Sequence, residues 1–384
     1  MATELCEFKL WDGSECGQPV CGNKPSLCGF HSKREITSGL VGVLFNYIRS
    51  QMDRDRIDLS GMDFTDFVFD NQFSDIVQEG PRRKILFGNN RFVGCHFVGD
   101  HNYDELLFVE SIFQETSFHS FRLWDSTFAM EQCQLEFGYH PMFSQFSISG
   151  QKPVDFSCCL FLGRTQPFRY ALIEAPLVSF KDSEFETPRF YCKIMEDFDE
   201  RQLPKEPRYL VIRAAEFRKE NHRLVTVPGV VSFDGIKVNG HFEVALGPEP
   251  IMSQEASLKS DESAAILAFR SVNFGQMKSA TFKRADLRRA QFKEAVIVGI
   301  SDVNSIWPEK DNRRILYEDE DRSLGVAEGE LRRLYSSFKK IAEQDRDDSR
   351  SDQWFYREME CRKAMTLEKH NSTGWGRLDE YFTR

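Results

Sequence analysis

A period of five residues dominates the hydrophobic pattern of this chain and is clearest over residues 280–297. Alanine recurs there every fifth position, and a large apolar residue follows each alanine two positions later. The faces of a strand repeat every two residues and those of a helix every 3.6, so neither keeps this set on one side. A chain that turns a corner every five residues does keep it on one side. The pattern therefore predicts a solenoid whose turns stack on one another.

The same period begins at Ile57, and its longest uninterrupted run covers residues 108–133. At four pentads per turn, the recognisable pentads predict about six turns and a rod of about 29 Å or more, taking about 4.8 Å per turn. Cysteines such as Cys95 and Cys159 occupy the small position of a pentad, where we expect packing and not reactivity. The predicted inward positions are Leu59, Phe64, Phe69, Phe87, Phe92, Phe97, Phe108, Phe113, Phe118, Leu123, Phe128, Cys133, Phe156, Phe161, Phe180, Phe185, Phe233, Val238, Phe269, Phe274, Phe282, Leu287, Phe292 and Ile297.

The segment Ala-Asp-Leu-Arg-Arg at 285–289 matches the tandem signature Ala-(Asp/Asn)-Leu-x-x, and in this the chain resembles the pentapeptide-repeat family. The resemblance implies a right-handed quadrilateral β-helix with four pentads per turn. It also implies that the small residue and the central Leu or Phe of each pentad point inward. The expected fold class is therefore mainly β, a pentapeptide-repeat solenoid with helical caps and a small N-terminal zinc module.

Composition narrows the class of protein further. The chain has 35 Phe against 10 Tyr and 5 Trp, which indicates one structural position that repeatedly requires an apolar ring. We expect these rings to stack in a core and not to form a ligand-binding stripe. The net charge of −10 argues against general electrostatic binding to nucleic acid. The sequence shows no signal peptide and no run of about 18 apolar residues, so the expected location is a reducing cytoplasm.

Residues 1–34 predict a small zinc-binding module. Cys28 and His31 lie across one tight turn, as half of a tetrahedral site requires, and Cys6 and Cys16 flank a hairpin-turn signal. The segment resembles short CCCH zinc modules at the front of some bacterial proteins. The expected ligands of a structural zinc ion are Cys6, Cys16, Cys28 and His31, with Cys21 as a competitor, above all for the place of Cys16. So short a segment has little core, and bound zinc would supply folding free energy.

The remaining chain divides into three predicted parts. Residues 35–53 form an amphipathic helix that caps the solenoid, and residues 54–304 form the solenoid. Insertions interrupt it at 188–230, with a short helix expected at Tyr209–His222, and at 245–263, where we expect a mobile surface loop. Residues 305–384 form a charged linker and a C-terminal helical hairpin. The insertions are the expected carriers of specificity, because a regular solenoid offers a uniform surface.

The C-terminal hairpin carries a second resemblance. Residues 334–363 are similar to a segment that follows pentapeptide repeats in certain bacterial membrane proteins, in which a two-helix, ion-channel-like pore domain comes next. The resemblance implies the cytosolic part of such a protein, at the cytoplasmic face of the inner membrane if the native chain continues past 384. More loosely, the segment also resembles half of a tetratricopeptide-type array.

One charged feature of the last pentads stands out. Lys283, Arg284, Arg288, Arg289 and Lys293 occupy predicted outward positions, and stacking would gather them into a basic surface patch. A solvated face balanced by nearby acids is the alternative interpretation. The sequence contains no glycine-rich phosphate loop, nucleophile elbow or His-Glu-x-x-His motif, so we interpret the chain as non-enzymatic.

Three functions compete at this point. The first is a protein-interaction or sensory scaffold that presents its insertions to a protein partner, with a homo-oligomer left open. The second is a DNA mimic that binds a type II topoisomerase, as some pentapeptide-repeat proteins do; the negative charge is compatible with it. The third, more remote, is an enzyme that uses residues of the insertions.

Overall fold

The structure is a computed structural model. It describes residues 35–36, 41–51, 53–54, 56–78, 84–194, 210–220, 223–246 and 265–372. The expected zinc ligands and the segment 247–264 therefore lie outside the described residues, as do residues 195–209 of the first insertion.

Short strands make up most of the described chain. In chain order they are β1 (Glu35–Ile36), β2 (Ile57–Asp58), β3 (Asp63–Thr65), β4 (Val68–Phe69), β5 (Lys84–Gly88), β6 (Arg91–Val93), β7 (His96–His101), β8 (Glu105–Val109), β9 (Ile112–Gln114), β10 (Ser117–Trp124), β11 (Thr127–Glu131), β12 (Gln134–Phe137), β13 (Phe143–Ser144), β14 (Ser147–Ser149), β15 (Val154–Asp155) and β16 (Leu160–Gly163). The second half comprises β17 (Phe168–Arg169), β18 (Ala171–Ala175), β19 (Leu177–Ser179), β20 (Glu184–Glu186), β21 (Arg189–Ile194), β22 (Leu210–Glu220), β23 (Arg223–Pro228), β24 (Val230–Ser232), β25 (Lys237–Val238), β26 (His241–Leu246), β27 (Ile266–Ala268), β28 (Ser279–Lys283), β29 (Ala290–Gln291), β30 (Ile300–Val303), β31 (Glu309–Lys310) and β32 (Arg313–Arg314).

Five α-helices accompany these strands in the described ranges. They are α1 (Val41–Ser50), α2 (Asn71–Gln78), α3 (Tyr317–Glu320), α4 (Glu328–Gln344) and α5 (Asp348–Ser372). The helix α1 lies inside the range predicted for an N-terminal helix. The helices α4 and α5 form the helical hairpin predicted after the solenoid.

The strands stack into three long ladders. One sheet has nine strands in the order β2-β5-β8-β11-β15-β19-β24-β27-β29, and another has eight in the order β1-β3-β6-β9-β12-β16-β20-β25. A third has thirteen strands and covers two successive positions of each turn, because the long strand β10 pairs with β13 near Phe118 and with β14 near Leu123. Among the described ladders only β22–β23 and β31–β32 are antiparallel. A chain that is mainly parallel β with few helices is consistent with the predicted β-solenoid.

Left-handed backbone conformations mark the corners of this solenoid. At the corner after the nine-stranded sheet, nine residues in successive turns have a positive φ, and most donate their N–H to the carbonyl group of the residue before the next corner. They are Gly61, Asn89, Glu110, Gln132, Cys158, Asp182, Gly235, Ser271 and Glu294. Within one turn the corners recur every five residues, at 110, 115, 120 and 125. A left-handed corner is thus present at many of the predicted pentads, although side chains other than glycine are strained there.

The core is a ladder of phenylalanine rings, and all 24 predicted inward residues are buried. Rings of neighbouring turns stack in parallel, with centroid distances of 4.4 Å for Phe97–Phe118 and 5.1 Å for Phe118–Phe143. A second column continues through Phe269 and Phe292, at 5.4 Å. The rings are therefore packing residues, as predicted, and this packing adds stabilisation beyond the buried apolar area itself.

The number of turns was predicted too low. The nine-stranded sheet gives nine stacked strands, or about 38 Å of rod at about 4.8 Å per interval. Successive partners along it are separated by 21 residues from Leu86 to Leu107, and by 53 from Ser179 to Ser232. No described turn in this sheet therefore consists of only four pentads. Turns with additional residues lose the strict period and were missed.

The end of the longest pentad run was also assigned in the wrong register. Cys133 occupies the small position of its pentad and not the large one, and its thiol donates to the carbonyl oxygen of Phe108 at 3.4 Å. Leu135 takes the large position, paired with Phe113 below and Phe161 above. Ser111 makes the equivalent bond to the Phe87 carbonyl, so inward polar atoms are satisfied by the turn below. Burial raises the pKa of the Cys95 thiol to about 11, as expected for a packing cysteine.

The helix predicted at Tyr209–His222 is wrong. Residues 210–220 form β22, whose first five residues pair with β18 in parallel and whose last six pair only with β23 among the described strands. The segment contains good helix formers, but pairing with β18 and burial of Leu210 and Ile212 decide its conformation. The first insertion therefore contains a β-hairpin that continues a solenoid strand.

The N-terminal edge of the solenoid is closed by α1. Leu44, Tyr47 and Ile48 are buried on one face of this helix. The side-chain amide of Gln51 accepts from the backbone N–H of Asp58 at 2.9 Å and donates to its carbonyl oxygen at 3.2 Å. These two bonds are those a neighbouring strand would make, so the side chain satisfies part of an otherwise open sheet edge.

We predict that Phe180→Ala lowers the free energy of unfolding by about 3–5 kcal/mol, because it opens a cavity in the ring column. Phe180 is fully buried between Phe156 and Phe233, at centroid distances of 5.2 and 5.9 Å. The matched control is Tyr139→Ala, since Tyr139 is 72% exposed; its effect should stay within about 0.5 kcal/mol. Urea unfolding of the three proteins measures both effects. Equal losses for the two variants would contradict the stacking argument.

Candidate functional site

Three adjacent strands run to one corner of the solenoid. In the thirteen-stranded sheet Ile194, at the end of β21, pairs with Ile212 of β22 on one side and with Leu246 of β26 on the other. These ladders are parallel, so the chain leaves the three strands in the same direction. The end of β21, the continuation of β22 into its hairpin and the end of β26 therefore lie at one place, which we call the insertion corner.

The hairpin at the insertion corner is anchored by an intercalated strand. Residues 210–212 of β22 lie between β18 and β21, although β21 precedes β22 in the chain. The strand then continues past the ladder, and Ala215–Glu220 pair with Arg223–Pro228. The hairpin is thus a direct extension of a buried solenoid strand, which holds its base in a defined orientation.

A column of outward residues runs up to the insertion corner. Trp124, Ser149, Glu174 and Arg213 are register partners on successive turns. Glu174 accepts from Arg213 Nη1 at 2.5 Å and from Ser149 Oγ at 2.8 Å, and both charged side chains are largely covered. Trp124 remains 52% exposed at the lower end. The column therefore presents an exposed indole ring two strands below Glu174 and three strands below Arg213, about 10 and 14 Å away at about 4.8 Å per strand.

The predicted basic patch is only partly present. Lys283 and Arg284 are exposed at the end of β28, whereas Arg289 and Lys293 are half-buried on the following turn of chain. Arg288 is only 6% exposed and does not point outward, which corrects the prediction for this residue. Its guanidinium binds the carboxylate of Asp286, with Nη2–Oδ2 at 2.6 Å, and both side chains of this pair are buried.

The C-terminal edge of the solenoid is closed by side chains from α3 and α4. Glu318 accepts the backbone N–H of Phe292, and Glu330 accepts that of Glu294. Arg333 donates from Nη1 to the carbonyl oxygen of Ala295 at 2.8 Å. Two carboxylates and a guanidinium therefore take the place of the next strand. They bind backbone groups of an edge that would otherwise be open to pairing with another strand.

A buried network joins the helical hairpin to this end. The carboxylate of Asp319 accepts from Arg322 at 2.6 Å, from the Tyr335 hydroxyl at 2.7 Å and from Arg357 of α5. On the solenoid, Asp302 accepts from Trp307 Nε1 at 3.0 Å and from Arg350 Nη1 at 3.2 Å. Removing one partner would leave a buried charge uncompensated, so the network fixes how the hairpin sits.

The aromatic ladder continues into the same junction. Trp307 stacks near Phe292 at 6.0 Å and meets Phe338 of α4 at 5.0 Å and Trp354 of α5 at 5.2 Å. Trp354 is 2% exposed. The hairpin is therefore an extension of the solenoid core and not an appended element.

Glu318 is the most perturbed carboxylate of the junction. Its side chain is 1% exposed, and its Oε2 has no hydrogen-bond partner in the described part of the chain. Burial raises its pKa from 4.5 to about 7, against the opposing effect of the Phe292 N–H. A carboxyl group in this setting holds a proton at mildly acidic pH.

The zinc ligands predicted from the sequence, Cys6, Cys16, Cys28 and His31 with Cys21, fall in the N-terminal segment that the structure does not describe. Within the described ranges no group of three or more His, Cys, Asp or Glu side chains is arranged to hold a metal ion. None of the described helices is long and apolar enough to cross a membrane. The zinc prediction therefore stays a prediction.

Comparisons of the chain with models of protein families, with curated proteins and with solved structures found no match.

Sequence reasoning did not find the insertion corner or the exposed Trp124. It located the two insertions, but nothing local indicates that they start from adjacent strands, because the pairing of Ile194 with Leu246 spans 52 residues. The edge-closing acids Glu318 and Glu330 were also missed. Their only signal is the acid-rich segment immediately after the last strands, which is typical of a solvated linker as well.

We predict that the stability difference between Glu318→Gln and the wild type depends on pH. The folded-state pKa of Glu318 lies above its unfolded value, so the folded state retains a proton that the unfolded state loses between pH 4.5 and about 7. Wild-type stability therefore falls across that window by about 3 kcal/mol from this group. Glutamine mimics the protonated acid, so the variant should match the wild type at pH 4.5 and exceed it above pH 7.

Urea unfolding of both proteins at several pH values measures this difference. Glu330→Gln is the matched control, because Glu330 also accepts a backbone N–H of the last turn but is partly exposed. A difference between wild type and Glu318→Gln that stays constant from pH 4.5 to 8 would contradict the assignment.

Proposed function

We propose that this chain is a non-enzymatic protein-interaction or sensory scaffold, and that its insertion corner is the surface that binds a protein partner. The observation that carries the proposal is that the adjacent strands β22, β21 and β26 reach one corner, where both predicted insertions connect to the described chain. Excursions that start at one corner can contact one partner together. Excursions scattered over the solenoid could not.

The solenoid supports this function by its rigidity. Side chains and loops held by a rigid frame lose less conformational freedom on binding, so more of the contact energy appears as affinity. The Glu174–Arg213 pair lies at the corner, and Trp124 lies three strands below Arg213 in the same column. Trp and Arg are among the residue types most enriched at the energetic centres of interfaces. We assign Trp124 as an anchor at the margin of the binding surface.

We also propose that the solenoid is the right-handed quadrilateral helix of the pentapeptide-repeat family. Support comes from corners at five-residue spacing and from the tandem signature at 285–289. The resemblance of residues 334–363 to the cytosolic segment of channel-like membrane proteins makes such a protein the sharper form of the proposal. In that form the junction network would couple the scaffold to a pore domain placed after the hairpin.

The charge layout does not favour a DNA mimic. Duplex DNA presents evenly repeated negative charges, whereas only Glu110, Asp182 and Glu294 are acidic among the nine residues of the corner column. Arg270 sits beside that column and pairs with Asp234 at 2.5 Å. A gyrase supercoiling assay tests this alternative directly. Inhibition of supercoiling by the purified protein would support the DNA-mimic hypothesis.

We predict that a photocrosslinking amino acid in place of Trp124 captures a specific protein in cells that naturally express the chain. The same substitution at Tyr139 should not, because Tyr139 is exposed but comes after β12, in a different sheet. Replacing residues 215–228 by a short linker should abolish capture at position 124. Equal capture at both positions, or capture that survives the deletion, would overturn the assignment of the insertion corner.

We further propose a structural zinc ion in residues 1–34, held by Cys6, Cys16, Cys28 and His31. Metal analysis of purified protein should give about one zinc per chain, since four protein ligands complete a tetrahedral site. Replacing Cys28 and His31 together should remove it. Cys21→Ser should retain zinc whereas Cys16→Ser should lose it, and the reverse outcome would exchange these two ligands. Protein prepared without chelator and free of zinc would refute the site.

A further inference from the structure

The helix α5 exposes an apolar stripe on the side opposite to its packed face. Ser351, Trp354, Glu358 and Cys361 are buried against the rest of the junction. On the solvent side, Phe355, Tyr356 and Met359 remain 44%, 42% and 42% exposed. Clustered exposed aromatics of this kind on a charged helix are typical of an interaction surface.

Two cations hold the rings of this stripe in place. Arg313 of β32 stacks over the ring of Tyr356 at 3.5 Å, and Lys339 of α4 lies over Phe355 at 4.6 Å. Each cation covers one face of a ring and restricts its side-chain rotamers. The remaining surface of each ring therefore faces solvent in a largely preset orientation.

The stripe is bounded at its two ends by opposite charges. Asp352 and Lys363 are exposed, and neither forms an ion pair within the described part of the chain. Together with Tyr356 and Met359 they follow the spacing i, i+4, i+7, i+11, which places all four on one side of a helix. Asp352 and Lys363 are separated by about 16 Å along the axis.

This order is complementary to itself when two copies run antiparallel. A two-fold axis that passes midway between Tyr356 and Met359 places Asp352 of one copy opposite Lys363 of the other, and Tyr356 opposite Met359. The Asp352–Lys363 charge pair and the Tyr356–Met359 sulfur–aromatic contact then each form twice, as an isologous interface requires. Parallel copies would instead set like charges against each other.

We propose that the chain forms a homodimer through antiparallel contact of the α5 stripes, in the register that pairs Asp352 with Lys363 of the second copy. The apolar side chains supply most of the affinity, while the exposed ion pairs add little affinity and select orientation and register. We expect the area buried by this contact to be at the small end of the range for stable interfaces. The expected dissociation constant of the dimer is therefore about 1–100 µM. The dimer does not depend on the function proposed for the insertion corner.

The test is a charge-swap cycle measured by sedimentation velocity on the full chain over a series of concentrations. Asp352→Lys and Lys363→Asp each convert two attractive pairs into repulsive ones and should each raise the dissociation constant about tenfold. The double variant restores opposite charges in the same register and should return close to the wild-type value. Met359→Glu should abolish the dimer, because it places two charges in the apolar centre.

Thermal unfolding controls for loss of the fold, and all the substituted positions are exposed, so the variants should unfold close to the wild type. A wild-type chain that stays monomeric at every concentration would overturn the proposal. A dimer that is insensitive to the single swaps, or one that both single swaps weaken and the double variant fails to restore, would overturn it as well. Binding of the α5 stripe of a monomeric chain to another protein or to anionic vesicles would also count against it.

Discussion

The whole structure depends on one constraint. Each large apolar side chain must stack directly over another while the backbone turns a corner. Parallel strands place register partners above one another, so each Phe position meets its counterpart in the next turn, as Phe118 meets Phe97 and Phe143. The corner needs left-handed backbone, which glycine adopts freely and other residues only with strain. At Gly235 an added Cβ would clash with Asp182 Oδ1 of the turn below, so the stacking of turns also dictates residue identity at a corner.

A stack of this kind has two open ends, and the chain closes both with side chains that act as backbone. Gln51 satisfies Asp58 at the first turn, while Glu318, Glu330 and Arg333 satisfy the last. Burial of Glu318 for this purpose explains its raised pKa. The same closure positions α4 and α5, because Asp319 and Asp302 bind Arg357 and Arg350 of α5. Edge protection and the placement of the hairpin are thus one physical arrangement.

The proposed functions occupy the places where the repeat is broken or ended. The regular turns present a uniform surface of small and polar side chains, and they serve as a rigid frame. The intercalated strand β22 breaks that regularity and directs a hairpin outward at the insertion corner. The end of the repeat exposes the α5 stripe, whose outward rings are held by Arg313 and Lys339. A frame with one lateral and one terminal contact surface suits a protein that brings partners together.

The five-residue period by itself identified 24 residues of the core, because alternation between core and corner is a local property of each pentad, and all 24 are buried. The helical hairpin followed from its own apolar spacing for the same reason. Only the tertiary structure decided the nine stacked strands, the strand where a helix was predicted at 209–222, and the register at Cys133. It also decided that Arg288 is buried and paired with Asp286. Each of these features depends on pairing between distant turns or on which surface another part of the chain covers. The spacing of residues along a single segment carries no information about either.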